Sequence, residues 1–556
     1  MEYTYHAMAM HLHADNQPTA SFESHMYNAA ELGMHYIRFT GHDTRTGPKE
    51  IPCNKFDFKR GKISYNDAGH ETCGWEDIIG DPSISFDGEA MLLSSSTSGE
   101  DYTVEGVGFV SSGKRHTYPL AGDVTLTIGI HTKTVGESRV IIDVELSQRP
   151  PDHTTAHLRY VFRTSAQPIA SPHTAEILLL PNDEGLYRLP ISEDVQRDGI
   201  SEIVGGLDNA FIKVSILLET RNGGYAACRV HSFEIEHPLG FQDVIERQRV
   251  IADEVGKKYG ICPFVTTEIS AAGQHKNILD TAVPVIDYQK NGYRVSHMDA
   301  VSHVKIHSGI FTYNHPFEKY KRTELSQEEI AFIVQRDAAA FIASKVWGAT
   351  CMEVGFIEGR SGFGLNEHLR LWDLLSMAGV FITGYGDSDS HNSKKGWFNG
   401  NNFVAWTAAP ANMPFPIPES EFIASLKAGR VYTGDPVFLK SPVNFTSGDL
   451  PMGAIIPVDD EDKASREMCF SMISPDAAWT MCVTNNGETV HEHKVSDLLD
   501  AEGNLVFRYE VSPDLPVNFS RVEVYNADGR CILLTNPIYL VRTAEFTGEI
   551  PSERLY

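Results

Sequence analysis

The sequence predicts an α/β fold: a β/α barrel-like sheet of seven strands, interrupted after its second strand by a β-sandwich-like insertion and followed by a C-terminal β-sandwich. Three observations predict it. Apolar strands alternate with helical periodicity over residues 1–75 and again over 239–435. Between them, residues 76–238 alternate with period two, and no amphipathic helix of substantial length intervenes. Residues 436–556 turn β-rich once more. At 556 residues the chain exceeds one ordinary core, so a division into several units is expected.

The first 45 residues read as a β-α-β unit. An apolar strand ends at His11-Leu12-His13, and a helix then places Phe22, Met26, Ala29 and Ala30 on one face. Gly33 closes that helix, and a strand over 35–40 runs into Gly41-His42-Asp43. In the insertion, strands are expected at 124–131, 140–146, 156–162 and 212–218, with Asn222-Gly223 as a tight hairpin turn. Helical spacing returns at Phe241, Val244, Ile245, Gln248, Ile251, Ala252 and Val255. Strands follow at 262–267, 309–314, 349–354, 380–384 and 402–406, which brings the barrel count to seven. A Ser326-x-x-Glu329 capping box starts the helix before Ala349.

Composition excludes several classes. The formal charge of −27, from 74 acidic against 47 basic residues, repels nucleic acid and anionic membranes. The eight cysteines are scattered without a CxxC pair, which suits a reducing compartment. No apolar run approaches the ~20 residues of a membrane span, and no signal pattern opens the chain. A cytoplasmic protein acting on a small molecule is the expectation, with self-association left open.

The chemistry lies at the strand ends. His11 and His13 are two apart on a strand, so both rings share a face; Asp389 and His391 repeat that spacing after another strand. His42, Glu268, His315 and Glu353 each fall at or near the C-terminal end of a further strand, where β/α barrels build their sites. Among 23 histidines a lone HxH means little, so the recurrence at successive strands is the signal.

These residues resemble a family. His11-x-His13, Phe39-Thr40-Gly41-His42-Asp43, Thr267-Glu268, Asn314-His315-Pro316 and Ser388-Asp389-Ser390-His391 are similar to the serial motifs of the PHP (polymerase and histidinol phosphatase) superfamily. Gln274-His275-Lys276-Asn277-Ile278-Leu279 resembles its histidine-then-short-strand element. Thr535-Asn536-Pro537-Ile538-Tyr539 resembles the closing motif of the carbaryl-hydrolase (CehA/McbA-type) branch, which appends a β-domain. The resemblance covers about residues 1–75 and 240–556. It implies a distorted seven-stranded, PHP-like barrel holding two or three divalent metals. His11, His13, Glu268 and Asp389 would hold the first, Glu268 would bridge to a second on His275 and His315, and His42 and His391 would serve a third. The usual Ser-Asp-Gly after HxH is replaced here by 15–19, where Asp15 is the available stand-in.

The expected activity is metal-dependent hydrolysis by a metal-bridging hydroxide, with Glu268, His42 and Asp389 as the catalytic set. The ligand types suit Zn, Mn or Fe. An ester-type bond is expected, a phosphoester slightly ahead of a carbamate, amide or carboxylic ester. Arg360, Lys394, its neighbour Lys395 and Tyr313 are the candidate substrate contacts, set against the reading of ordinary surface groups. The insertion is read as a wall or association surface beside the pocket. The competing reading from another class is a non-catalytic carbohydrate-binding or assembly protein on the same fold.

Overall fold

The computed structural model describes residues 2–14, 20–42, 64–66, 72–111, 118–162, 171–270, 275–286, 295–354, 362–391, 403–441, 443–459 and 464–556. Among them a large mixed sheet carries the strand ends singled out above. Its strands are β1 (Tyr3–Leu12), β2 (Tyr36–His42), β3 (Cys262–Ile269), β4 (Lys276–Ile278), β5 (Phe311–Tyr313), β6 (Cys351–Glu353), β7 (Thr383–Tyr385), β8 (Val404–Pro410) and β9 (Val431–Gly434). The spatial order is β7-β6-β5-β4-β3-β2-β1-β8-β9. Pairings β1–β2, β2–β3, β5–β6 and β6–β7 are parallel. β4 runs antiparallel to both its neighbours, and β8 runs antiparallel to β1.

The sheet curls. A bridge pairs Leu12 at the end of β1 with Ser390 beyond β7, and the His13 amide donates to the Ser390 carbonyl at 3.0 Å. Met10 N–H donates to Asp387 Oδ2 at 2.7 Å, so the segment after β7 occupies the C-terminal half of the β1 edge. β8, counted from sequence as the seventh barrel strand, takes the other half of that edge through Tyr3 to Met8. The three residues of β4 complete the order between β3 and β5 instead; a strand that short shows no periodicity of its own.

Helices cover the sheet: α1 (Phe22–Glu31), α2 (Phe241–Tyr259), α3 (His297–Ile306), α4 (Gln327–Ser344), α5 (Leu365–Met377) and α6 (Glu419–Ala428). Their ends follow local chemistry. The expected box forms at α4, where Glu329 N–H donates to Ser326 Oγ and the Glu329 carboxylate accepts the Ser326 amide. α1 starts on a Ser21/Ser24 box that sequence reading missed, because serine rather than glutamate takes the return position.

Between β2 and α2 lies a second, largely antiparallel sheet built on two long strands, Thr125–Arg149 and Lys213–Glu236. Asn222-Gly223 does not turn a hairpin. Both residues have positive φ, at 50° and 76°, and form a bulge within one continuous strand, with a register shift between Arg221 and Tyr225. The same left-handed freedom serves either device, and pairing across the sheet decides which is used. Trp75, buried against Phe109 and Phe233, anchors this sheet's own core.

C-terminal strands Cys531–Thr535, Val517–Tyr525, Thr480–Asn485 and Glu488–Lys494 extend the main sheet beyond β9. A four-stranded sheet containing Arg466–Met472 and Leu505–Val511 forms the opposite layer of a sandwich, and Phe470, Val483 and Val522 share its core. Asn536 of the closing motif fastens this region to the main sheet. Its side chain accepts from Gly384 N–H at 3.0 Å and donates to the carbonyls of Gly384 and Val431, both at 2.7 Å.

Candidate metal centre

Strand geometry brings the chemistry together. On β1 the alternation turns His11 and His13 the same way, and both are fully buried. Register sets His42 of β2 directly beside Glu268 of β3. His275 precedes β4, His315 follows β5, Glu353 ends β6, and Asp389 and His391 follow β7. The backbone takes positive φ at His315 (24°) and Asp389 (49°), an uncommon conformation whose strain is tolerated where side chains must be aimed.

Glu268 is the centre of the cluster. Its carboxylate lies 2.6 Å from His42 Nδ1, 3.0 Å from His275 Nδ1, 3.4 Å from His11 Nε2 and 3.5 Å from His315 Nε2. His13 Nε2 is 3.8 Å away, and Asn314 Nδ2 donates to Oε1 at 2.8 Å. Asp389 Oδ1 stands 3.0 Å from His13 Nε2 and 3.3 Å from His11 Nε2. His391 Nε2 lies 3.3 Å from His42 Nε2. Among the described residues, four triads hold donor atoms within 4.8 Å of one another: His11-His13-Glu268, His42-Glu268-His275, His13-His42-His391 and His275-His315-Glu318.

The buried histidine and glutamate groups could hold a metal ion, and their mutual electrostatics suit a positive charge among them. Burial works against a charged His11, yet Asp389, Glu353 and Glu268 hold its pKa well above the ordinary value. His315 is mostly shielded, with 12 % of its side chain exposed, and its bonds to Glu268 and Glu318 raise it to about 10. His13 moves well below the ordinary range through burial and the neighbouring His391 and His42. Despite its burial, Glu268 is held well below the carboxylate range by His42, His275 and His11. The carboxylates thus favour positive charge at His11 and His315, a role that a divalent ion could fill with more charge and better-directed bonds. The donor set fits such ions: imidazole nitrogens and carboxylate oxygens converge with N···N separations of 3.1 Å (His11–His13) and 3.3 Å (His42–His391).

Some contacts lie beyond sequence reading. The sequence places Glu353 among the strand-end candidates but does not show its partners. It accepts from His11 Nδ1 through Oε1 and from the His315 amide through Oε2, each at 2.6 Å. Glu318 Oε2 lies 2.7 Å from His315 Nδ1; three residues after His315, it could have been found only by assuming the turn that brings it back. Asp387, two before Asp389, is fully buried, and burial raises its pKa to about 8.

All eight candidate metal ligands, His11, His13, His42, Glu268, His275, His315, Asp389 and His391, therefore meet in one cluster. Of the substrate-contact candidates only Tyr313 lies among the described residues, and it is buried in the core, stacked on Trp347 and edge-on to Phe341 of α4. Period-two alternation turns Asn314 towards Glu268 and its neighbour Tyr313 towards the helix layer. Arg360, Lys394, Lys395 and Asp15 lie outside the described residues. Among the described residues no helix is long and apolar enough to cross a membrane.

No family model and no curated protein matches the chain. Among solved structures it is similar in part to a native family 12 xyloglucanase from Bacillus licheniformis, at 10 % identity and TM-score 0.18, over 31 % of this chain and 84 % of that one. An endo-1,4-β-glucanase, CelB2, matches at 12 % identity and TM-score 0.23, over 32 % and 96 % of the two chains. Endoglucanase 3 of family GH12 from Trichoderma harzianum matches at 10 % identity and TM-score 0.18, over 31 % and 99 %. These local likenesses carry no argument about chemistry.

Proposed function

We propose that the chain is a metal-dependent hydrolase of the PHP type, acting on an ester-type bond of a small molecule, with a phosphoester slightly favoured over a carbamate, amide or carboxylic ester. One observation carries the reading: a fully buried carboxylate, Glu268, has four imidazole nitrogens within 3.5 Å. Core packing does not produce this arrangement, because burying so many polar groups without a cation is costly. The curl that brings Ser390 onto the end of β1 supports a distorted seven-stranded barrel, with β4 rather than β8 in the ring.

Divalent ions, when bound, would supply an activated water at neutral pH and polarise the bond to be cleaved. Glu268 would contribute to two such subsites, with His11, His13 and Asp389 holding the inner ion and His275 and His315 the outer. The chain's other residues orient these groups. Glu353 holds His11 Nδ1 and so turns Nε2 towards Glu268; Glu318 does the same for His315. The inner subsite is sealed, whereas the His275 and Glu318 side chains are about a quarter to a third exposed (25 % and 32 %), which makes their side the mouth for substrate.

Metal analysis after reconstitution, followed by a panel of aryl phosphates, phosphodiesters, aryl esters and carbamates with Mn and Zn, tests the proposal. At least two equivalents of metal and chelator-reversible hydrolysis are expected. Less than about half an equivalent would overturn the site assignment.

A further inference from the structure

The insertion meets the HxH segment through α1, and the contact is built from buried charge. Asp208, from the insertion, caps the first turn of α1 with both oxygens, Oδ1 accepting Phe22 N–H at 2.7 Å and Oδ2 accepting Glu23 N–H at 2.8 Å. This is the favourable end of a helix for an anion. Arg149, at the end of a long insertion strand, donates to the Asp208 carbonyl at 2.9 Å and to its carboxylate at 3.2 Å, and pairs with the Glu23 carboxylate. Glu23 also receives Lys258 and Tyr259 of α2. Arg149, Glu23 and Asp208 are all buried, so their mutual pairing offsets the loss of solvent around each charge.

One helical turn below Ser21, His25 points back at the strand. Its Nε2 donates to the His13 carbonyl at 3.2 Å, and the ring is 1 % exposed. His13 in turn places Nε2 against Asp389 and His11. An unbroken run of buried polar contacts therefore leads from the insertion to a candidate metal ligand. Solvent loosens none of its links, so a shift of α1 is passed to the His13 backbone.

We infer that the insertion is a positioning device for the metal centre: Arg149 and Asp208 seat α1, and His25 of α1 holds the backbone of His13 at the depth where its ring meets Asp389 and His11. This assigns the insertion a role beyond walling a pocket, and it rests on the metal reading above.

The test measures the dissociation constant of Zn or Mn for the full chain by chelator competition, alongside the melting temperature of metal-free protein. His25→Leu and Asp208→Asn are each expected to weaken the tightest-bound ion about tenfold, the lower end for groups that orient ligands. His25→Gln, whose amide still reaches a carbonyl, should recover to within about threefold of the wild type. The double variant Asp208→Asn/His25→Leu should bind no more weakly than the worse single variant, since both act through one path. Wild-type affinity in folded His25→Leu, no recovery in His25→Gln, or additive losses in the double variant overturn the inference. If Asp208→Asn does not fold, the His25 pair decides. A wild type that binds no metal overturns the underlying reading and the inference with it; a wild type that binds while folded variants match it overturns the inference alone.

Discussion

Glu353→Gln exchanges one carboxylate oxygen for an amide at a fully buried position that serves two candidate ligands at once. The wild-type carboxylate accepts His11 Nδ1–H and the His315 amide, both at 2.6 Å. Glutamine has one acceptor oxygen, so it can keep only one of these bonds, and its NH2 then faces the other donor. A buried hydrogen bond to a charged group contributes about 1.5–3 kcal/mol. At 1.4 kcal/mol per decade, that loss corresponds to about a 10- to 150-fold weaker hold on metal, in line with the 10–100-fold typical of groups that orient ligands. If the amide keeps the His315 backbone, His11 is released and the inner subsite is weakened. If it keeps His11, the outer subsite is weakened. Stepwise chelator competition with Zn and Mn separates the two, and circular dichroism checks that the variant is folded. Both ions bound within about threefold of the wild type would refute the orienting role of Glu353 and, with it, the claim that His11 ligates through Nε2.

Other outcomes follow from the same geometry. Glu268→Gln should reduce bound metal below one equivalent and abolish hydrolysis, whereas His391→Ala should lose less of both, because Glu268 serves two subsites; inductively coupled plasma mass spectrometry and initial rates compare them. In metal-free protein the folded pKa of His315 is raised to about 10, above an unfolded value near ~6.5. Its contribution to stability is therefore fully present below about pH 6.5 and is lost as pH rises through about 10. Chelator-treated protein should show a falling melting temperature across that window, and loading metal at pH 8 should release protons measurable in weak buffer. Tyr313→Phe should leave kcat/KM within about twofold and cost no more than about 1.5 kcal/mol in urea unfolding, since the ring is core rather than substrate contact; a tenfold fall in kcat/KM would return Tyr313 to the site. Asn536→Ala removes three buried hydrogen bonds and should destabilise by about 2–4 kcal/mol by the same measurement.

The sequence by itself determined the elements whose physics is local. The alternation of β1 dictated that His11 and His13 share a face, and the Ser326/Glu329 pair marked the start of α4 before any partner was in view. Ligand types recurring at strand ends likewise singled out the cluster, because parallel strands deliver their C-terminal ends to one place. Only the tertiary structure decided what depends on pairing across the chain. The three residues of β4 are too few for periodicity, and their place between β3 and β5 follows from register alone. Asn222-Gly223 could bulge or turn, and the continuous partner strand chose the bulge. Tyr313 lies one residue from Asn314, and the pleat sends the two to opposite faces. Glu353, 342 residues from His11, became its partner through the curl of the sheet, and Asp208 became the cap of α1 from 186 residues away. Hydrogen bonds across such separations are fixed by where packing brings two surfaces into contact, and no local pattern of residue types records that position.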